Sequence, residues 1–338
     1  MPVRCCRLVR RLLTKQEAVH AVNNRLLEGA ASTAYVGFMS ETRSGEGLSG
    51  VWTRVAPVLR MVIPPRWRGD RPVVPVLRLS GVIGLSTPLR PGLTMAGLAR
   101  ALERVFAVRN AAAVALVINS PGGSPVQSHL IFRRIRELAQ EKKRRVLAFV
   151  EDAAASGGYM IACAADEIIA DPASIVGSIG VVGGSFGFDK LIAKIGIERR
   201  LYTSGAHKAM LDPFLPEDSG DVERLKKLQR DIHDDFIALV KSRRGDRLNG
   251  PENDLFSGEY WTGRRGLELG LVDAIGDLRT TLRERFGDKV ETPLVTTERR
   301  LFGRRVAGVG AGAMAPGTLA EDLIAALEAR ALWARYGL

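Results

Sequence analysis

The sequence predicts an α/β fold with a mostly parallel sheet, and three observations carry that expectation. Two runs, Val114-Ala115-Leu116-Val117-Ile118 and Val146-Leu147-Ala148-Phe149-Val150, are apolar without alternation, as strands covered on both faces are. Residues 126–141 between them have helical spacing, which completes a β-α-β unit with parallel strands and a right-handed crossover. Both strands run into small-residue loops, Asn119-Ser120-Pro121-Gly122-Gly123 and Ala154-Ala155-Ser156-Gly157-Gly158-Tyr159. That topology sets both loops at one edge of the sheet, where open α/β folds bind their ligands.

The 338 residues divide into three parts on composition. Residues 1–70 form a basic arm. Its stretch 7–30 reads as an amphipathic helix carrying Leu8, Leu12, Val19, Val22, Leu26 and Leu27, and 31–50 as a Gly-, Ser- and Thr-rich linker. Val51 to Trp67 mixes Trp52 and Trp67 with Arg54, Arg60 and Arg66 beside an apolar stripe, the pattern of an interfacial anchor, though Pro57, Pro64 and Pro65 break it as a long helix. A folded domain is expected over 71–290. It starts with a strand at 73–79, then a helix opened by Thr94 with Leu98, Leu102 and Val105 on one face, then the β-α-β unit. A glycine-rich turn region spans 177–184. A long helix over 221–243 carries Leu225, Leu228, Ile232, Phe236 and Leu239, and a short one over 262–269 is closed by Gly270. Residues 291–338 are expected to be a linker and a last helix, where Thr318 and Glu321 have capping-box spacing. No internal repeat is present.

Charge and composition narrow the function. The net charge is +12, and residues 1–78 hold 13 Lys and Arg against 5 Asp and Glu, so most of the excess sits at the N-terminal end. Aromatic residues are only 6% and no nucleic-acid-reading module is visible, so nucleic acid is not expected as a partner; the basic arm reads either as simply solvated or as a peripheral contact with an anionic membrane surface. Cys5, Cys6 and Cys163 make neither a disulfide framework nor a zinc site, so no metal or cofactor is expected. No run of 18 apolar residues exists, and Arg4, Arg7, Arg10, Arg11 and Lys15 break up any signal-peptide core. The expected location is the cytoplasm or the inner face of a bacterial-type membrane.

Ser156, between small residues and just after an apolar strand, is a candidate nucleophile, and the backbone N–H groups beside it are candidate oxyanion donors. A serine of this kind needs a base. His20 and His233 read as surface residues, whereas His129 starts the helix after Gly123. The segment Ser204-Gly205-Ala206-His207-Lys208-Ala209-Met210-Leu211 offers two more candidates, His207 and Lys208. A lysine desolvated by apolar neighbours loses affinity for its proton and serves as a general base. From composition alone, though, Lys208 reads as a surface lysine in a loop.

Residues 73–276 resemble the signal peptide peptidase A family, the S49 serine peptidases with a Clp-protease/crotonase-like fold of repeated β-α-β units. The resemblance rests on ordered blocks: 119–123, 154–159, Val176-Gly177-Ser178-Ile179-Gly180-Val181, and Ser204-Gly205 with Lys208. Phe256-Ser257-Gly258, Trp261-Thr262-Gly263 and Gly270-Leu271-Val272-Asp273 complete the set. It implies a Ser–Lys dyad, with Ser156 as nucleophile and Lys208 as base, which reverses the reading from composition. It also implies that Gly157 and one of Gly122 or Gly123 hold the oxyanion, and that Ser178 orients the lysine. Family members resemble rings in which adjacent subunits complete each site, so Lys208 acts within its own subunit or on a neighbour. The expected activity is endoproteolysis of unstructured, apolar peptides such as signal-peptide remnants. An acyl-CoA enzyme of crotonase type and a non-catalytic membrane scaffold are the alternatives.

Overall fold

Strand β1 (Val76–Ser80) opens the domain and pairs in parallel with β2 (Val114–Ser120), with Leu77 opposite Leu116 and Leu79 opposite Ile118. The computed structural model describes residues 71–84, 92–296, 300–301, 304–305 and 316–338, so the expectations for the basic arm lie outside the described residues. Helix α1 (Met95–Phe106) connects β1 to β2. Its N-cap is Thr94, whose hydroxyl accepts from the Gly97 amide and so satisfies one of the donors a helix start leaves open. Helix α2 (Pro125–Glu141) follows β2, with Ser124 as its cap and proline in its first turn, where the missing N–H costs nothing. It leads into β3 (Val146–Ala155), which lies parallel to β2.

Strand β3 runs five residues further than its apolar stretch. Its register against β2 shifts between Ile118 and Ser120, so that β3 carries two extra residues there, Glu151 and Asp152. These polar groups have partners: Glu151 meets Arg78 at 2.7 Å, and Asp152 accepts from the Asn119 amide at 2.6 Å. The same strand forks its neighbours. After helix α3 (Gly157–Ala162), β4 (Glu167–Ala170) pairs with the first half of β3, and β5 (Ile175–Gly177) pairs with the last three residues.

The next segment stands away from the core. Helix α4 (Asp189–Lys194) has no buried residue, and α5 (Ser219–Arg244) buries only Phe236, Val240 and Arg244, all in its second half. Leu228 of the expected apolar stripe is exposed, and among the described residues none of the first half of α5 is buried. The chain returns through α6 (Glu252–Leu255), β6 (Tyr260–Thr262), α7 (Gly263–Glu268), β7 (Ala274–Ile275), α8 (Leu278–Phe286) and β8 (Leu294–Val295). Strand β8 joins β1 in parallel, so the sheet extends past residue 290. Residues 300–301 and 304–305 form a short antiparallel pair, β9 and β10. The last helix, α9, spans Pro316–Ala334 and starts before Thr318, so Thr318 lies inside it and the expected capping box is not its start.

The main sheet has the order β6-β5-β3-β2-β1-β8, with β4 and β7 branching from β3, and only β6 runs antiparallel. Both faces are covered. Leu77, Leu79, Leu116 and Ile118 pack under α1, α2 and α3, whereas Val76, Ala115, Val117 and Phe149 pack against Leu282 of α8. This is the α/β class expected, with non-alternating strands because each face meets helices.

Candidate active site

Ser156 ends β3 in a backbone conformation, φ 52° and ψ −121°, that side chains rarely adopt. Such a conformation costs about 1–3 kcal/mol and persists only where the surroundings enforce it. Two hydrogen bonds do so. The Ser156 N–H donates to the Gly177 carbonyl at 2.8 Å, and the Ser156 carbonyl accepts from the Met160 N–H at 3.0 Å. The serine thereby leaves the strand on a sharp turn into α3, half-buried.

The β2 loop lies against it. A Cβ built on Gly122 would sit 2.8 Å from Ser156 Cβ and 3.0 Å from the Gly157 nitrogen, so only a glycine allows the two loops to approach this closely. The two glycine amides differ. The Gly122 N–H donates to Ser120 Oγ at 3.2 Å, whereas among the described residues no acceptor meets the N–H of Gly123 or of Gly157. Gly123 is fixed by its neighbours, since Ile83 N–H donates to the Gly122 carbonyl and Ser124 N–H to the Ile83 carbonyl.

Ser178 follows β5 directly and also has a positive φ, 52°. Strands β3 and β5 pair Ala155 with Gly177, which places Ser178 beside the Ser156 turn. Its own N–H donates to the Glu259 carbonyl at 2.7 Å. The hydroxyl has a partner that the sequence did not suggest: the Tyr336 phenol lies 3.2 Å from Ser178 Oγ and 3.4 Å from the Pro121 carbonyl.

Lys208 is elsewhere. It sits in an exposed turn, with its N–H on the Gly205 carbonyl at 3.3 Å, and no hydrogen bond or ion pair joins its side chain to Ser156 or Ser178. The apolar neighbours expected to desolvate it do not, because Met210 and Phe214 are themselves 38% exposed. His207 is exposed as well. His129 is exposed and stacks on Phe132, with ring centroids 6.3 Å apart, so it makes no contact with the serine. His233, expected on the surface, is half-buried with Nε2 3.0 Å from the Ile179 carbonyl. His20 lies outside the described residues.

The remaining sequence blocks are scaffold. Tyr159 is fully buried, and its hydroxyl donates to the Leu271 carbonyl at 2.7 Å. Arg244 reaches across from α5 to the Gly270 carbonyl and, in a two-pronged pair, to Asp273 at 2.8 and 3.0 Å. Burial is the largest influence on the Asp273 carboxyl and raises it, but the Arg244 hydrogen bonds, the Ile168 N–H and the charges of Arg244 and Arg247 together outweigh it and hold the group below its ordinary value. Burial also pushes the Cys163 thiol up to about 12. The run Gly270-Leu271-Val272-Asp273 therefore holds α3, and with it the Ser156 turn, in place.

A serine on a strained strand-to-helix turn, at the carboxyl edge of a parallel sheet and against a glycine loop, has the parts that acyl transfer requires. Residues 138–289 match the model of peptidase family S49. The chain is 32% identical over 200 residues to a Synechocystis sp. relative provisionally named as a protease, covering 56% of this chain and 70% of that one. It is 33% identical over 219 residues to the chloroplastic serine protease SPPA of Arabidopsis thaliana, covering 62% of this chain and 31% of that one. A Brucella abortus protein named as the Na(+)/H(+) antiporter NhaA is 54% identical over 288 residues, 83% of this chain. The chain spans 39% of the length of that relative. This chain belongs to peptidase family S49.

Proposed function

We propose that the chain is a serine endopeptidase with Ser156 as nucleophile and Lys208 as general base. The observation that carries this reading is the strained Ser156 turn, set against the glycine loop, where the Gly123 and Gly157 amides meet no acceptor among the described residues, in a chain of the S49 family. Ser156 Oγ attacks the scissile carbonyl while a neutral Lys208 takes its proton, and the Gly157 and Gly123 N–H groups hold the oxyanion. The lysine then protonates the leaving amine. Water, deprotonated by the same lysine, cleaves the acyl ester and restores the serine. Unstructured, largely apolar peptides are the substrates this edge favours.

Exposure of Lys208 supports a base supplied between subunits. Val182, Phe186, Leu191, Ile195, Ile197 and Tyr202 precede its segment in the chain and are 54–90% exposed. An apolar surface of that extent is what a second copy covers. In a ring of copies, each Lys208 then serves the neighbouring Ser156.

Complementation tests both claims. Ser156→Ala and Lys208→Ala proteins should each be inactive on an unstructured fluorogenic peptide. Co-expressed in equal amounts, they should recover about a quarter of the wild-type rate, since a working site needs an intact serine and an intact lysine from different copies. Full activity of either single variant would sink the dyad. Recovery of nothing in the mixed oligomer would place the base within one chain.

A further inference from the structure

The C-terminal residues carry a group that the dyad leaves unused. Helix α9 ends in a Schellman closure: Gly337 has φ 73°, its N–H donates to the Ala334 carbonyl, and the Leu338 N–H donates to the Trp333 carbonyl. This closure fixes the direction in which Tyr336 leaves the helix. Tyr260 of β6 fastens the same turn, with its hydroxyl on the Arg335 carbonyl at 3.1 Å and its ring edge-on to Tyr336, centroids 5.0 Å apart. Tyr260 is itself paired with Gly177, one residue before Ser178. The half-buried Tyr336 is thus held over the two loops that flank Ser156.

The phenol bridges those loops, and elementary chemistry sets the direction of its hydrogen bonds. Its two neighbours are the Pro121 carbonyl and Ser178 Oγ. A carbonyl only accepts, and a phenol has one proton, so serving both neighbours requires that Tyr336 donate to Pro121 and accept from Ser178. The Ser178 proton is then taken, and the lone pairs of its oxygen are what it presents to the site. An amine that arrives there donates to Ser178 and keeps its own lone pair free for the Ser156 proton.

We propose that Tyr336 is a positioning residue of this site: its phenol holds the Ser178 hydroxyl in the acceptor orientation toward the base. The inference rests on the Ser156–Lys208 reading. Without the phenol oxygen, Ser178 turns and donates to the neutral amine, which occupies the lone pair that catalysis needs.

Tyr336→Phe tests this in the 338-residue chain, because it keeps the ring and its packing on Tyr260 and removes one oxygen. The expected result is a fall in kcat of about threefold to tenfold with KM unchanged. In a Ser178→Ala background, the same change should have no further effect on either quantity. An unchanged or raised kcat, or an equal loss in the Ser178→Ala background, overturns the proposal. Ser156→Ala, assayed alongside, separates the two levels. Activity surviving in Ser156→Ala overturns the dyad itself, whereas an inactive Ser156→Ala beside a wild-type-like Tyr336→Phe overturns only the role of Tyr336.

Discussion

Behind the proposed nucleophile, Gly157 approaches Ser128 closely, and this yields a quantitative test. A Cβ added at Gly157 would lie 2.3 Å from Ser128 Oγ, well inside the 3.0 Å below which Cβ contacts are essentially never found. Ser128 is fully buried on α2, and its hydroxyl donates to the Ser124 carbonyl at 2.8 Å, so it has little room to turn aside. Overpacking of this kind costs about 1–3 kcal/mol. If the strain is relieved by shifting the start of α3, the Gly157 N–H leaves its aim, and loss of one oxyanion donor costs about 3–4 kcal/mol of transition-state stabilisation. Gly157→Ala is therefore expected to lower both the urea midpoint and kcat, the latter by about a hundredfold or more. Ser128→Ala removes the offending oxygen and leaves a Cβ at 3.3 Å, tight but tolerable. Alone it forfeits one hydrogen bond, about 1 kcal/mol. The double variant should recover most of both losses, a coupling of about 1–2 kcal/mol against additivity. Urea titration and hydrolysis of an unstructured fluorogenic peptide measure the two quantities. A Gly157→Ala protein with wild-type stability and rate, or a strictly additive double variant, would refute the reasoning.

Asp273→Asn should lower stability at neutral pH by on the order of 3 kcal/mol, because it breaks a largely buried pair with Arg244. The Asp273 carboxyl sits below its ordinary value of 3.8, so its contribution is complete above about pH 4 and is lost as pH falls through the lower folded value. The gap between wild type and variant should therefore shrink from pH 7 to pH 3 in urea titrations, and an equal gap at both would count against the assignment. Cys163, fully buried with its thiol pushed up to about 12, should resist iodoacetamide at pH 8 in the native protein and react once urea unfolds it. Mass spectrometry of the tryptic peptide reads this directly, and native labelling would show that α3 opens.

The β-α-β unit was legible because β2 and the first half of β3 are buried on both faces, and an unbroken apolar run records that. The meeting of Gly122 with Ser156 was legible for the same reason, since parallel neighbours end at one edge. The extension of β3 was not, because Glu151 and Asp152 interrupt the apolar pattern and depend on Arg78 and Asn119, distant in sequence. Lys208 was read as the base only through family resemblance. Composition alone made it a surface lysine in a loop, and within one chain it is exposed, so composition and structure agree on its environment while its role rests on the resemblance. Tyr336 gave no signal at all. Its partners are 158 and 215 residues away, and the aromatic alone reads as an ordinary helix end.

The positive φ at Ser156 has a consequence for which nucleophiles this scaffold admits. A β-branched side chain at φ 52° is a genuine steric outlier, so threonine, although it carries the same hydroxyl, is shut out of the position. Cysteine, unbranched and close in size, is not. The route by which this fold diversifies its chemistry therefore runs toward a thiol and away from the secondary alcohol, a choice made by backbone geometry before reactivity enters.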